Sequence, residues 1–258
     1  MVFMVFGIDI FLRSLLLTGA CLLLAGCASL STVGPPVGSV EAVDSPWAAV
    51  STVAAKKGRW THQALPGKTP NHYQYSRVNG RDALVVRSGS AVSVLRQVIH
   101  VPPEQLAHLR FSWKVPELIA QADMARRDAD DSPVRIVLAF EGDRSRFSAK
   151  NAMLSELSQA LTGEPMPYAT LMYVWCNTRA PGTVIINPRT DRIRKLVVES
   201  GSNKLNEWLD YERDIAADFI KAFGEPPGAL VGIGVMTDTD NTQSQAQAWY
   251  GPLRLAGR

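Results

Sequence analysis

The chain has 258 residues, of which 46% are apolar and 20% are charged, values typical of a globular protein with a hydrophobic core. The formal net charge is only +3 and no block of Lys and Arg occurs, so the sequence lacks the footprint of a nucleic-acid-binding protein. The length suits one large β domain or two small ones and does not decide between them.

The start of the chain predicts an export signal that becomes lipidated. Arg13 precedes an apolar run over residues 15–24, which is short for a membrane span and fits the apolar region of a signal peptide. The run ends in Leu24-Ala25-Gly26-Cys27, which resembles the bacterial lipobox. The resemblance implies cleavage before Cys27 and lipidation of its thiol, and Ala28 implies sorting to the outer membrane, facing the periplasm. An ordinary signal peptide and an uncleaved anchor are the alternatives.

The domain boundaries follow from this signal. Residues 1–26 are predicted to be the signal peptide, residues 27–46, rich in small residues, Gly and Pro, a flexible tether, and residues 47–258 a single domain. Only Cys176 then remains in the folded part, so no internal disulfide is possible. It lies in an apolar run and is predicted to be a core residue and not a nucleophile.

Strand patterns dominate the folded part. Residues 109–115 alternate most clearly, with Leu109, Phe111, Trp113 and Val115 on one face. Further strands are predicted at residues 82–87, 91–101, 134–140, 170–176, 194–200, 230–236 and 246–255, and residues 56–73 are irregular or form short edge strands. Helices are predicted at residues 117–127, 151–161 and 214–223.

This order of elements predicts a fold that is mostly β. Strands and helices do not alternate regularly, which argues against a doubly wound parallel sheet. We therefore expect an antiparallel β-sandwich, jelly-roll-like, with two or three short helices in the connections.

The last two predicted strands enclose an acidic loop. We expect residues 230–236 and 246–255 to be paired strands that display Asp238, Asp240 and Asn241 at one end of a sheet. In an extended chain, side chains two positions apart share a face, so Asp238 and Asp240 would lie together. The sequence therefore places a candidate site in this loop.

Several short motifs occur in a recognisable order. They are Trp113-Lys114, Asp130-Asp131-Ser132-Pro133-Val134-Arg135, Tyr173-Val174-Trp175, Val198-Glu199-Ser200-Gly201, Glu212-Arg213-Asp214, Phe223-Gly224, residues 236–242 and Ala248-Trp249-Tyr250-Gly251. Together they resemble a bacterial family catalogued as domain of unknown function number three-zero-four-seven, from about Trp60 to the C-terminus. The resemblance implies no established activity. The closing acidic turn and strand also resemble carbohydrate-binding jelly rolls, a likeness of architecture alone.

Three interpretations of the polar residues are open. Carboxylates of Asp130, Asp131, Asp238 and Asp240 could gather round a hard cation such as Ca²⁺, which takes several oxygen ligands. The same carboxylates could pair with arginines and cap loops. A pair of them could perform acid–base chemistry on a glycosidic bond.

The favoured function is ligand binding by an envelope lipoprotein, with a glycan or another envelope component as the ligand. The predicted ligand-binding residues are Asp238, Asp240, Asn241, Trp249, Tyr250 and Arg135. An envelope hydrolase and an interaction domain without a small ligand are the alternatives. The sequence names no catalytic residue and does not determine the oligomeric state.

Overall fold

A computed structural model describes residues 39–42 (backbone only), 45–51 and 60–255. All of them belong to one compact unit, Pro35–Arg258. The predicted signal peptide and the predicted lipidation site at Cys27 lie outside the described residues. In the part of the chain that is described, no helix has the length and apolar character needed to cross a membrane.

The described residues contain fourteen strands and three α-helices, joined by loops and two short 3₁₀ helices. The strands are β1 (Ser39–Ala42), β2 (Trp60–Ala64), β3 (His72–Val78), β4 (Arg81–Gly89), β5 (Val92–Val101), β6 (His108–Lys114), β7 (Ser132–Phe140), β8 (Ala169–Cys176), β9 (Val184–Ile186), β10 (Ile193–Ser200), β11 (Leu209–Asp214), β12 (Leu230–Asp238), β13 (Gln245–Tyr250) and β14 (Arg254–Leu255). The helices are α1 (Pro46–Val50), α2 (Ala149–Thr162) and α3 (Ile215–Phe223).

The strands form two sheets. The larger sheet has the order β1-β2-β5-β12-β7-β8-β10-β9, and the smaller has the order β11-β6-β13-β4-β3, with β14 also paired to β6. The expected mostly-β, two-sheet sandwich with three helices is therefore confirmed. One pairing departs from the antiparallel expectation, because β8 and β10 run parallel.

Alternating side chains of both sheets fill the core. On β6, Leu109, Phe111 and Trp113 point inward, and on β8 Tyr173 and Trp175 meet them, with the rings of Phe111 and Tyr173 stacked at 5.6 Å. Burying each such side chain contributes roughly 1.5–3 kcal/mol to the free energy of unfolding. Trp113 and Trp175 are core residues, as their apolar neighbours indicated.

A second apolar cluster covers part of the outer face of the larger sheet. Its buried members are Val92, Met124, Met172, Val174, Cys176, Ile185, Val197 and Met236. On β8 these members alternate with the core residues, so they face away from the core. Met124 comes from the segment between β6 and β7, and Ile185 comes from the edge strand β9. Cys176 is buried in this cluster, in agreement with a packing role.

Helices α2 and α3 agree with the sequence in position. Helix α2 starts at Ser148, whose side chain caps Asn151 N, and stops at Gly163, which has φ +77°. Four apolar side chains recur at helical spacing along α2, namely Met153, Leu154, Leu157 and Leu161. They do not join the core, because Leu154 is only partly buried and the other three are exposed.

Two expectations about elements were wrong, the helix at residues 117–127 and the hairpin of β12 and β13, and strands β1, β3, β9 and β11 were not predicted. Residues 117–127 form turns and not a helix, because the Asp123 side chain accepts a bond from Ala125 N and closes a local turn. Strand β1 lies inside the predicted tether and pairs with β2. Strand β11 was missed because charged residues alternate along it. Finally, β12 and β13 belong to different sheets, so the acidic loop crosses between sheets and does not close a hairpin.

Candidate functional site

The polar residues of interest lie on the outer face of the larger sheet. Arg135 stands between Val134 and Ile136 of β7, which both point into the core, so Arg135 points outward. The same alternation directs Lys195 of β10 to this face. Both side chains are almost fully buried, because the turns before β7 and the segment after β9 lie over them.

Two distant loops meet at this place. Asn241 N and Nδ2 donate to Asp131 Oδ1 at 3.2 and 2.9 Å, and Thr242 N and Oγ1 donate to Asp131 Oδ2 at 2.7 and 2.5 Å. Burial opposes ionisation of Asp131, but these four bonds outweigh it and lower the pKa of the carboxyl below its usual value. Asp131 thereby joins the turn before β7 to the β12–β13 loop.

Arg135 connects carboxylates of the same two loops. Its Nη2 lies 3.0 Å from Asp238 Oδ2 and 3.2 Å from Asp130 Oδ1. It also donates to the backbone oxygen of Asp130 at 2.7 Å. Although burial disfavours the cation, Asp238 and Asp130 raise the pKa of Arg135, so the guanidinium stays charged.

Asp130 has further partners on the opposite side. Lys195 Nζ donates to Asp130 Oδ1 at 2.6 Å and to Met124 O at 2.9 Å, and Asn187 Nδ2 donates to Asp130 Oδ2 at 2.9 Å. Burial, together with the nearby charge of Arg135, lowers the pKa of Lys195 to about 8. Sequence reasoning missed Lys195 and Asn187. The available signal was the position of Lys195 beside Leu196 and Val197, in a strand that pairs with the fully buried and mostly apolar β8.

Three carboxylates approach one another at the edge of this network. Oxygen atoms of Asp131, Asp238 and Asp240 lie within 4.8 Å of one another. Burial raises the pKa of Asp238 well above its ordinary value, although Arg135 opposes the shift. Among the described residues, Asp238 Oδ1 is a buried atom without a hydrogen-bond partner. Lys68 forms an ion pair with Asp240 from the solvent side.

The predicted cation ligands are thus only partly brought together. Asp131, Asp238 and Asp240 converge, whereas Asp130 is held by Lys195, Arg135 and Asn187 and lies outside the group of three. These are hard oxygen ligands of the kind that Ca²⁺ takes. For the hydrolase interpretation, Asp130, Asp131 and Asp238 are buried and engaged within the protein, whereas Asp240 is partly exposed and paired with Lys68.

Three residues predicted to contact a ligand are placed differently by the structure. Tyr250 is fully buried, with its hydroxyl bonded to Met236 O at 2.7 Å, so it cannot touch a ligand at the surface. Trp249 lies on the smaller sheet, at the end of β13 remote from the acidic loop, with Lys114 over its ring. The guanidinium of Arg135 is buried and paired with the carboxylates of Asp130 and Asp238, so it does not face a ligand.

A groove runs along the same outer face, beyond the buried network. It encloses about 460 Å³ and is lined by Gln63, Leu65, Val94, Arg96, Val98, Val137, Ala139, Phe140, Glu141, Arg144, Ser158, Thr162, Glu164, Pro165, Pro167, Thr170 and residues 231–234. Strands β5, β7 and β12 form its floor, and the end of α2 with the loop after it forms one wall. The size lies in the range of small-molecule sites, about 300–1,000 Å³. The sequence contained no motif that marked these residues.

The lining of this groove is aliphatic in its floor and charged at its rim. The side chains that point into it are those of Val94, Val98, Val137 and Ala139. Gly232 and Gly234 also line the floor and, having no side chains, leave space above it. At the rim, Arg96 Nη2 pairs with Glu164 Oε1 at 2.8 Å. A bound molecule would therefore meet an apolar surface along its length and ionic groups at one side.

The described residues define a β-sandwich protein with an outer-face groove and a buried ionic network. The chain belongs to the family described as "Protein of unknown function (DUF3047)", whose model matches residues 58–254. The motifs quoted from the sequence therefore indicated the correct family. No curated protein matches the sequence.

Two solved structures are similar in fold. One is the xyloglucanase domain of NopAA, a type three effector from Sinorhizobium fredii, in complex with cellobiose, with 11% identity and a TM-score of 0.41 over 83% of this chain and 100% of that one. The other is endoglucanase 3 of Trichoderma harzianum, from family GH12, with 6% identity and a TM-score of 0.42 over 80% of this chain and 93% of that one. Similarity at this level does not bear on what the present protein binds.

Proposed function

We propose that this protein is an envelope lipoprotein whose β-sandwich binds an envelope component in the groove on the outer face of the larger sheet. The observation that carries the proposal is the groove itself, about 460 Å³ with a mostly apolar lining. Anchoring through Cys27 in the outer membrane, on the periplasmic side, rests on the lipobox-like Leu24-Ala25-Gly26-Cys27.

The lining favours an amphiphile over a sugar. Sugar-binding surfaces present aromatic faces, whereas the groove is lined by no Trp or Tyr and by only one Phe, Phe140, which is buried. Aliphatic side chains suit an acyl chain, since burying each methylene group contributes roughly 0.8 kcal/mol. Arg96, Glu164 and Arg144 at the rim suit a charged or zwitterionic headgroup.

A substitution in the groove floor tests the proposal. Val98 is 62% exposed and lines the groove, and Ile186 is 52% exposed and lies outside it. Palmitoyl lysophosphatidylethanolamine is titrated below its micelle concentration into the full chain by calorimetry. We expect Val98→Lys to weaken binding at least about tenfold, because a charge would be buried against the acyl chain, and Ile186→Lys to leave it unchanged. No binding to the unsubstituted protein, or equal binding by Val98→Lys, refutes the proposal.

The anchor is tested separately. Cells that express the protein are labelled with radioactive palmitate, and the membrane fractions are separated. We expect label in the outer-membrane fraction and none in Cys27→Ala, because the thiol is the acceptor. A labelled Cys27→Ala variant, or an unlabelled native chain, rules out lipidation at this cysteine.

A glycan is the second candidate, at a different place. An open cleft of about 650 Å³ lies on the outer face of the smaller sheet, where Arg81 pairs with Asp210 at 2.6 Å and Arg110 with Glu212 at 3.1 Å. Arg81 also lies over the ring of Trp208 at 5.4 Å. The charged side chains that line the cleft suit hydrogen bonds to sugar hydroxyls, whereas Trp208 does not line it.

Calorimetry with peptidoglycan fragments tests this second site. We expect Asp210→Ala to weaken their binding, while Asp143→Ala, on the exposed turn before α2, does not. Equal affinity of both variants, or no heat with the native chain, removes the glycan candidate and leaves the groove proposal unaffected.

A further inference from the structure

The geometry points to a Ca²⁺ site formed by Asp131, Asp238 and Asp240, in which the ammonium of Lys68 competes with the metal. The three carboxylates lie within 4.8 Å of one another and come from the turn before β7 and from β12 and its loop. This inference is independent of the groove and of its ligand.

A buried carboxylate oxygen without a hydrogen-bond partner in the described part of the chain is the second, independent observation. Asp238 is only 4% exposed, and its Oδ2 is bound to Arg135 while its Oδ1 has no hydrogen-bond partner among the described residues. A buried carboxylate oxygen without a donor is costly. A cation among the three carboxylates would supply the missing interaction.

The charges of the network indicate a divalent ion. Asp130, outside the group of three, is neutralised by Lys195, and Arg189 lies 3.9 Å from it. When ionised, the three carboxylates of Asp131, Asp238 and Asp240 carry three negative charges, and Arg135, which pairs with Asp238, supplies one positive charge. The difference is two, the charge of Ca²⁺.

Lys68 supplies only part of that missing charge. Its side chain is 43% exposed and reaches Asp240 from a turn at the surface, so it can move into solvent. Asp131 receives neutral donors alone, from Asn241 and Thr242. A metal ion that displaces Lys68 would balance Asp131 and Asp240 together.

The chemistry of the ligands selects the metal. Every available ligand is an oxygen, and no His or Cys belongs to the group, which favours Ca²⁺ or Mg²⁺ over zinc. The ligands come from the turn before β7 and from the end of β12 and its loop, and Ca²⁺ tolerates such irregular geometry better than Mg²⁺, which requires near-ideal octahedral coordination.

Calorimetric titration with CaCl₂ tests the inference. The full-length protein is first treated with EDTA, and Mg²⁺ is titrated for comparison. We expect binding of Ca²⁺ to the native chain and a higher melting temperature in its presence. We expect Lys68→Met to bind Ca²⁺ about fivefold more tightly, since the competing partly exposed ion pair is lost. Lys150→Met, at an exposed lysine of α2 that forms no ion pair with the described residues, should bind like the native chain.

Removing one carboxylate ligand should weaken Ca²⁺ binding, which is the opposite of the effect expected for Lys68→Met. Asp240 is the most accessible of the three carboxylates, so Asp240→Asn should fold, which circular dichroism checks, and should weaken Ca²⁺ binding at least about tenfold because the ligand charge falls. No heat with either the native chain or Lys68→Met overturns the inference. Unchanged affinity in Asp240→Asn, or weaker binding in Lys68→Met, overturns it as well.

Discussion

The buried ion pair of Lys195 makes the sharpest prediction about stability. Lys195 Nζ lies 2.6 Å from Asp130 Oδ1 and the side chain is fully buried, whereas Lys204 Nζ lies 2.8 Å from Glu199 Oε2 with 53% of the side chain exposed. The two pairs have nearly the same length and differ in burial. The same substitution, Lys→Met, can therefore be compared at both positions.

The expected costs follow from the two environments. Lys195→Met leaves Asp130 with one cation fewer in a buried site, and breaking such a pair costs about 3–5 kcal/mol in the free energy of unfolding. Lys204→Met removes a solvent-screened pair, which costs about 0–1 kcal/mol. Arg135 and Asn187 still contact Asp130, so the lower part of the first range is the more reasonable value.

Urea unfolding followed by tryptophan fluorescence measures both costs. With a slope of about 1–3 kcal/mol per molar urea, Lys195→Met should lower the midpoint by at least about 1 M, and Lys204→Met should lower it by no more than about one third of that shift. Adding Asp130→Asn to Lys195→Met should restore part of the loss, since the unpaired charge disappears. Equal midpoints for the two single variants would refute the reasoning that burial determines the cost.

Three other predictions concern backbone packing, a buried hydroxyl and pH. Gly228→Ala should destabilise the protein by roughly 1–3 kcal/mol, because its Cβ would lie 2.2 Å from a backbone oxygen, while Gly89→Ala, whose nearest neighbour is 4.0 Å away, should be almost neutral in thermal melting. Tyr250→Phe should cost about 1–3 kcal/mol in the same assay, since the buried carbonyl that its hydroxyl reaches at 2.7 Å loses its donor. The pKa of Lys195 is about 8 in the folded chain and 10.5 in the unfolded chain, so between these values only the unfolded chain keeps the proton. The native midpoint relative to that of Lys195→Met should therefore rise from pH 8 to 10, and a constant difference would contradict the lowered pKa.

Strands with one repeating pattern could be predicted from the sequence because their periodicity is local. The alternation of Leu109, Phe111 and Trp113 indicates β6 and its buried face, and Ser148 and Gly163 bracket α2. Strand β11 was not predicted because its outward residues are charged and its inward residues, such as Tyr211, are few. Residues 117–127 lacked a repeating apolar pattern, and a side-chain-capped turn decided their shape.

The acidic site could also be predicted only in part from the sequence. The residue types at Asp130, Asp131, Asp238 and Asp240 indicated that carboxylates matter, and their position after or before strands indicated a sheet end. Their partners could not be inferred, because Lys195 lies 65 residues from Asp130 and nothing local links the two. Tyr250 was predicted to contact a ligand, although its position on β13 directs it into the core.

The sequence by itself determined the strand-rich class, the family and the presence of an acidic loop, since each depends on residue order over a few positions. Tertiary structure alone decided that β12 and β13 enter different sheets, that Lys195 and Arg135 neutralise buried carboxylates, and that aliphatic residues from three strands form a groove. These features depend on pairing between segments far apart in the chain. Such pairing is selected by the burial of the whole core and by the need to match every buried charge, and no local pattern records it.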